Sequence, residues 1–144
     1  MKLLEYINVE EVRKVCKALK LRDWSKMKEA KVLPKEARVI LSQIDTKGMN
    51  IDLEEFRKGL EVELEHGTRF KEANVTNNHP MLTGKIVLAH LKESLNYYKL
   101  LEVAELEGDL LKAILAKNMA KTKNVYKKLA KAKVDLSKAE SEQL

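Results

Sequence analysis

The sequence predicts an all-α protein, a small bundle of about five helices with an extended basic C-terminal helix. Three observations favour this class. Five glycines and two prolines in 144 residues are too few for the many turns of a sandwich or barrel. Aromatic residues make up only 5% of the chain. Apolar residues recur at spacings of three and four, as on one face of a helix. The length suits a single domain with a real core.

Capping signals place the first helices. Asn8 can cap a helix with Glu11 at the capping-box position, and Pro34 suits the first turn of the next helix. Asp52 caps a third helix, for which Gly67 is the expected C-terminal stop. The expected core positions of the first helix are Val9, Val12, Val15, Cys16 and Leu19. Cys16 is therefore expected to be a buried thiol, and a single cysteine excludes an internal disulfide.

An irregular segment is expected between Thr68 and His79, because its asparagines and threonine favour turns over helix. His79 is expected to face solvent, although it could also cap the helix that follows. A long helix should then run from Pro80 or Thr83 to about Glu107, with Gly108-Asp109 as its stop. The expected domain organisation is a helical core over residues 1–107 and a lysine-rich amphipathic helix over residues 108–144.

Two short motifs carry the strongest chemical signal. Glu63 precedes His66 by three residues, and His90 precedes Glu93 by three. Residues at i and i+3 share a helix face, so each motif offers a carboxylate and an imidazole on one side. Glu-x-x-His is also the unit of di-iron bundles, which need further glutamates. These four residues form a candidate site for zinc, iron or manganese, with mixed nitrogen and oxygen ligands.

Two other interpretations of the motifs remain open. On the long helix, His90 and Glu93 align with Ile86 in a stripe that is expected to face the core. A buried carboxylate needs a partner, so a polar network in which Glu63 bonds Lys85 or Tyr97 competes with the metal. Acid–base catalysis is the third alternative, but no nucleophile or oxyanion site accompanies it.

Charge is unevenly distributed along the chain. The net charge is +6, with an acidic segment from Asp52 to Glu65. The C-terminal helix is strongly basic and could bind an acidic protein, including this chain's own acidic segment, or nucleic acid through its phosphates. A solvated helix face is the alternative. A near-heptad apolar stripe could serve either packing within the chain or a homo-oligomer, and it consists of Leu115, Met119, Thr122, Tyr126 and Leu129. The candidate binding residues are Lys117, Lys121, Lys123, Lys127, Lys128, Lys131 and Lys133.

Neither a membrane-spanning stretch nor a signal peptide is expected, and a cytoplasmic location is the default.

The middle of the chain resembles a known family. The motifs are GLEVELEHG at residues 59–67, NVTN at 74–77, TGKI at 83–86, AHLKE at 89–93 and a tyrosine pair at 97–98. They are similar to those of small uncharacterised proteins from bacteria and bacteriophages, over residues 51–101. The resemblance implies a compact helical domain and no activity, and a phage origin would make the protein virion-associated.

The predicted function is therefore a non-enzymatic binding or assembly protein that engages an acidic partner through its basic C-terminal helix. Metal binding and non-specific nucleic-acid binding are the two alternatives.

Overall fold

The computed structural model describes residues 7–144 and confirms the all-α class. No strand occurs in this part of the chain. Two 3₁₀ turns, at Trp24–Lys26 and Lys71–Ala73, accompany the helices. Across residues 7–144 no helix is both long and apolar enough to cross a membrane. The described residues form six α-helices, α1 (Val9–Ala18), α2 (Pro34–Ser42), α3 (Leu53–Arg69), α4 (Pro80–Glu93), α5 (Tyr97–Leu115) and α6 (Met119–Ser141).

The helix starts predicted from capping signals at Asn8, Pro34 and Asp52 are confirmed, whereas the last helix begins at Met119 and not near Gly108. The Asn8 side chain accepts a hydrogen bond from the Glu11 amide at 2.9 Å. Pro34 occupies the first turn of α2. The Asp52 carboxylate accepts from the amides of Glu54 and Glu55 at 2.9 and 3.0 Å. The Asn8 and Asp52 caps satisfy backbone donors that the helices themselves leave unpaired, so residues close in the sequence support these helix starts.

The chain divides into two compact units, one extending to Lys92 and the other spanning Glu93–Leu144. In the first unit α2 packs against α3. Gly84 on α4 allows a close approach to α2, since a Cβ there would lie 2.6 Å from Ile44 Cδ1 and 2.7 Å from Ile40 Cγ2. The largest fully buried apolar side chains of this unit are Val12, Trp24, Ile40, Phe56, Leu60, Leu64 and Leu91.

Three predicted boundaries are wrong. Gly67 does not end α3, which continues to Arg69. The expected helix from Pro80 to Glu107 is two helices, because the chain leaves helical geometry between Glu93 and Tyr97. Gly108 lies inside α5, so the boundary expected at residues 107 and 108 falls within a continuous helix. Neither Gly67 nor Gly108 has the positive φ that is typical of a glycine at a helix end.

The second unit is a helical hairpin of α5 and α6, which pack against each other along their length. The three-residue turn Ala116–Asn118 joins them, with Lys117 in the left-handed region at φ 52°. Lys133 pairs with Glu107 at 2.9 Å, and the Gln143 amide donates to Asn96 Oδ1 at 3.2 Å. The first contact joins the middles of the two helices and the second joins the start of α5 to the end of α6, so the helices run antiparallel.

Candidate functional site

The structure brings together one residue from each of the two motifs. Glu63 on α3 faces His90 on α4, with 3.5 Å between Glu63 Oε1 and His90 Nε2. The two side chains are 12% and 29% exposed. The contact is an ion pair when the imidazole is protonated. Because both groups are partly withdrawn from water, the pair interacts more strongly than a pair on the open surface.

The other two predicted ligands, His66 and Glu93, are both exposed. His66 is exposed near the end of α3 and lines a cavity of about 180 Å³ that Glu63 also lines. Glu93 is exposed at the end of α4. Among residues 7–144, no three side chains of His, Cys, Asp or Glu are grouped so that they could hold a metal ion. The structure therefore assembles two of the four candidate ligands.

The expected core-facing stripe of Ile86, His90 and Glu93 is wrong. Ile86 and Glu93 are exposed, and His90 is half-buried. The helix is apolar around much of its circumference, so its sequence alone did not show which face is buried. Small residues decide this, because Gly84 lets α4 approach α2 closely. The buried positions of α4 are Pro80, Thr83, Gly84, Val87, Leu88 and Leu91.

The loop beside the cavity is held by asparagines. Asn78 is buried and donates to the Trp24 carbonyl at 3.3 Å, while Asn74 donates to Asn78 Oδ1 at 3.2 Å. Asn77 and Asn78 adopt positive φ values of 48° and 60°, which asparagine tolerates better than most residues. Gly67 permits this packing, since a Cβ there would lie 2.7 Å from Asn74 Cγ and closer still to Asn78 Oδ1.

His79 caps α4 and is buried, so the expectation of a solvent-facing side chain is wrong. Its Nδ1 accepts hydrogen bonds from the amides of Met81 and Leu82 at 3.2 and 3.3 Å. An acceptor at Nδ1 requires the neutral imidazole with its proton on Nε2. Burial lowers the pKa of His79 below its ordinary value, an effect that Lys85 reinforces and Glu11 opposes.

A buried carboxylate that the sequence did not reveal lies in the first unit. Glu36 on α2 is 1% exposed and accepts hydrogen bonds from the Arg22 guanidinium at 2.6 and 3.0 Å. The backbone amides of Arg22 and Leu33, each at 3.1 Å, and the Trp24 indole at 3.3 Å also donate to it. Burial alone would raise the pKa of Glu36, but these donors outweigh it and hold the pKa below its ordinary value. The arrangement is a structural anchor.

Cys16 is buried, as expected. Burial raises the pKa of its thiol, which keeps it protonated and unreactive near neutral pH.

All seven candidate lysines are exposed. Six lie on α6, while Lys117 occupies the turn before it. Of these, Lys133 forms an ion pair with Glu107 on α5. The residues on the inward side of α6 recur at alternating spacings of three and four, as the a and d positions of a coiled coil do. Its members are Thr122, Val125, Leu129, Ala132, Leu136 and Ala139, none of them fully exposed.

This inward stripe corrects the one expected from the sequence. Met119 and Tyr126 of the near-heptad stripe are 77% and 62% exposed and do not pack inward. Val125 and Ala132 take the inner positions instead. The lysine-bearing faces therefore adjoin apolar side chains that the hairpin leaves in water.

Comparison with known proteins identifies a family for most of the chain. A model of a protein family of unknown function, DUF5661, matches residues 12–107. The match is wider than the resemblance over residues 51–101 and covers most of α1, all of α2 to α4 and part of α5. No curated protein and no solved structure shows significant similarity to the chain.

Proposed function

We propose a non-enzymatic binding function for this chain, which belongs to the DUF5661 family of proteins of unknown function. In this proposal the α5–α6 hairpin engages an acidic partner through the lysines of α6. One observation carries it. From Leu110 to Val134 the chain contains eight lysines and no acidic residue, and the seven candidate lysines among them are exposed.

Such a surface attracts negative charge over a distance of about 8–10 Å at physiological salt. Its lysines are flexible point charges and it contains no arginine from Leu110 to Val134, so base-specific recognition of a nucleic acid is not expected of it. The exposed apolar side chains beside the lysines favour a protein partner, because apolar residues add little to contacts with phosphates.

The test is a binding titration with a labelled peptide rich in glutamate and aspartate. The affinity of the full chain should fall steeply between low and physiological salt. Replacing Lys123, Lys127 and Lys131 by Gln should lower it by about tenfold, since three attractive charges are lost. The matched control replaces three exposed lysines of the other unit, Lys28, Lys35 and Lys58, which changes the net charge equally.

Two results would overturn the proposal. The first is equal loss of affinity in both triple variants, which would mean that only net charge matters. The second is tighter binding of a DNA duplex than of the acidic peptide at the same salt concentration, which would favour the nucleic-acid alternative.

A second candidate function, binding of a divalent metal ion, is supported by the Glu63–His90 pair. Two ligand atoms of a tetrahedral zinc ion lie roughly 3.4 Å apart when each is about 2.05 Å from the metal. Glu63 Oε1 and His90 Nε2 are 3.5 Å apart, so one ion could bind both, with water completing its coordination. Glu93 is exposed and serves as the matched control.

Calorimetric titration with Zn²⁺ tests this candidate. Binding to the unaltered chain and to Glu93→Gln, together with its loss in Glu63→Gln and His90→Ala, would support it. Binding that survives both changes, or that is absent from the unaltered chain, would exclude the pair as a metal site.

A further inference from the structure

Large apolar side chains are exposed around the turn of the hairpin. Five of them, on the last turns of α5 and the first turns of α6, are between 53% and 77% exposed. We call this set the tip patch. It consists of Leu111, Ile114, Leu115, Met119 and Tyr126.

The Glu107–Lys133 ion pair shows which tip-patch residues share a side of the hairpin. Seven residues are two helical turns, so Ile114 lies on the same side of α5 as Glu107. On α6, Tyr126 precedes Lys133 by seven residues and Met119 precedes Tyr126 by seven, so these three residues also share one side of their helix. Because the helices are antiparallel, Ile114 is opposite Tyr126. Leu111 and Leu115, one helical turn apart, border this side and extend it around the outside of α5.

The tip patch is additional to the packing of the hairpin. The inward stripe of α6 already contains Val125, Leu129 and Ala132, and Ala113 of α5 is buried as well. Single exposed apolar residues are normal on a surface, but a contiguous group of this kind marks an interaction site.

The charges around the tip patch select its occupant. Lys112, Lys117, Lys121, Lys123 and Lys127 are exposed on these same turns, and no acidic residue occurs from Leu110 to Val134. A second copy of the hairpin would bring the same lysines together, and like charges across an interface are unfavourable. The complementary partner therefore has an apolar face bordered by carboxylates.

We propose that the tip patch is a docking site for an amphipathic acidic helix of a partner protein. This inference rests on the proposed function and names the class of partner. The helix would place apolar side chains at spacings of i, i+3, i+4 and i+7 against the tip patch. Its glutamates and aspartates would then face the surrounding lysines, which gives the pairing its charge complementarity.

The test uses two labelled peptides of identical composition, both built from leucine, glutamate and alanine. One has its leucines on a single helical face, and the other has them scrambled around the helix. The patch variant of the full chain is Leu115→Gln with Met119→Gln. Its matched control is Val75→Gln with Val134→Gln, which removes two exposed apolar side chains outside the tip patch. Circular dichroism verifies that both variants keep their helical content.

The patch variant should bind the amphipathic peptide about tenfold more weakly than the unaltered chain does, because two apolar contacts are lost. Its affinity for the scrambled peptide and the affinities of the control variant should be unchanged. The Lys123, Lys127 and Lys131 variant should bind both peptides more weakly.

Each contrary result has a distinct meaning. Equal affinity for the two peptides, with no effect of the patch variant, would overturn the docking site and leave the proposed function standing. Failure of both peptides to bind would overturn both. Tighter binding to phosphatidylserine vesicles than to the amphipathic peptide would assign the tip patch to a lipid surface. A dimer that the patch variant dissociates, measured by sedimentation, would assign it to a second copy.

Discussion

The two compact units differ in where their most prominent apolar and charged side chains lie. In the unit that ends at Lys92, Trp24, Phe56 and Leu60 are fully buried, and Glu36 is buried with several donors. In the hairpin from Glu93 to Leu144, Leu115 and Met119 are mostly exposed, as are the lysines of α6. The buried side chains of the first unit stabilise its folded structure, whereas the exposed side chains of the hairpin are available to bind a partner.

This difference indicates where substitutions will act. A change at a buried position of the first unit should alter the free energy of unfolding, because the groups there already have partners within the chain. A change on the outer surface of the hairpin should alter binding with little effect on stability. The Glu63–His90 pair is intermediate, since it is partly buried and still borders solvent.

The largest effect is expected from Glu36→Gln. The amide keeps the shape of the side chain but removes the charge that Arg22 contacts, and its NH₂ group cannot accept the bonds that a carboxylate oxygen accepts. The free energy of unfolding should fall by about 3 kcal/mol, measured by urea denaturation. The exposed Glu29→Gln is the control and should change it little. A loss below about 1 kcal/mol would contradict the anchoring role.

The next largest effect is expected from replacing a helical glycine, and one glycine from each unit is compared. Gly67→Ala places a methyl group against the Asn74 and Asn78 side chains and should reduce stability by about 2 kcal/mol. Gly108→Ala meets nothing within 4 Å and should increase stability by about 0.5–1 kcal/mol, because alanine favours helix. Thermal unfolding of both variants measures the contrast. A gain in stability in both variants would show that helix propensity rather than packing governs Gly67.

The same glycines show what the sequence could predict. Helix starts at Asn8, Pro34 and Asp52 were predictable, because a cap acts on amides two or three residues away. Helix ends were not, since a glycine that stops a helix and one that admits a neighbouring side chain look alike. Gly67 admits Asn74 and Asn78, which follow it by seven and eleven residues.

The candidate site was predictable only in part for a related reason. The i, i+3 spacing identified Glu63 and His90 as candidate ligands on their own helices. Whether the two side chains contact each other depends on how α3 packs against α4, which the spacing does not show. The anchor at Glu36 left no local pattern, because Arg22 lies 14 residues away. Exposure of Met119 and Tyr126 likewise depends on which of two apolar faces of α6 packs inward.

A smaller effect is expected from the protonation of His79. Its pKa is lowered in the folded chain, so the unfolded chain binds the proton more readily and stability rises with pH. The stabilisation that neutral His79 provides is complete above the ordinary histidine pKa of about 6.5. It is lost as the pH falls through the lower pKa of the folded chain. Loss of the cap should then reduce the free energy of unfolding by about 1 kcal/mol.

Urea denaturation at several pH values between 7.5 and 5 measures the effect of His79. His79→Asn provides the comparison, because asparagine caps a helix without titrating in this range. The unaltered chain should lose more stability than the variant as the pH falls. Parallel curves for the two proteins would show that another group causes any pH dependence.

The smallest effect on stability is expected at the tip patch, where the apolar side chains of the hairpin are exposed. Leu115→Gln with Met119→Gln should change the free energy of unfolding by no more than about 0.5 kcal/mol, because both side chains are already in water. Leu129→Ala, at a buried position of the same hairpin, should reduce it by about 2–3 kcal/mol. If urea denaturation gave similar losses for both, the tip-patch residues would belong to the folded core of the hairpin. A small loss combined with weaker peptide binding would instead separate their role in recognition from any role in folding.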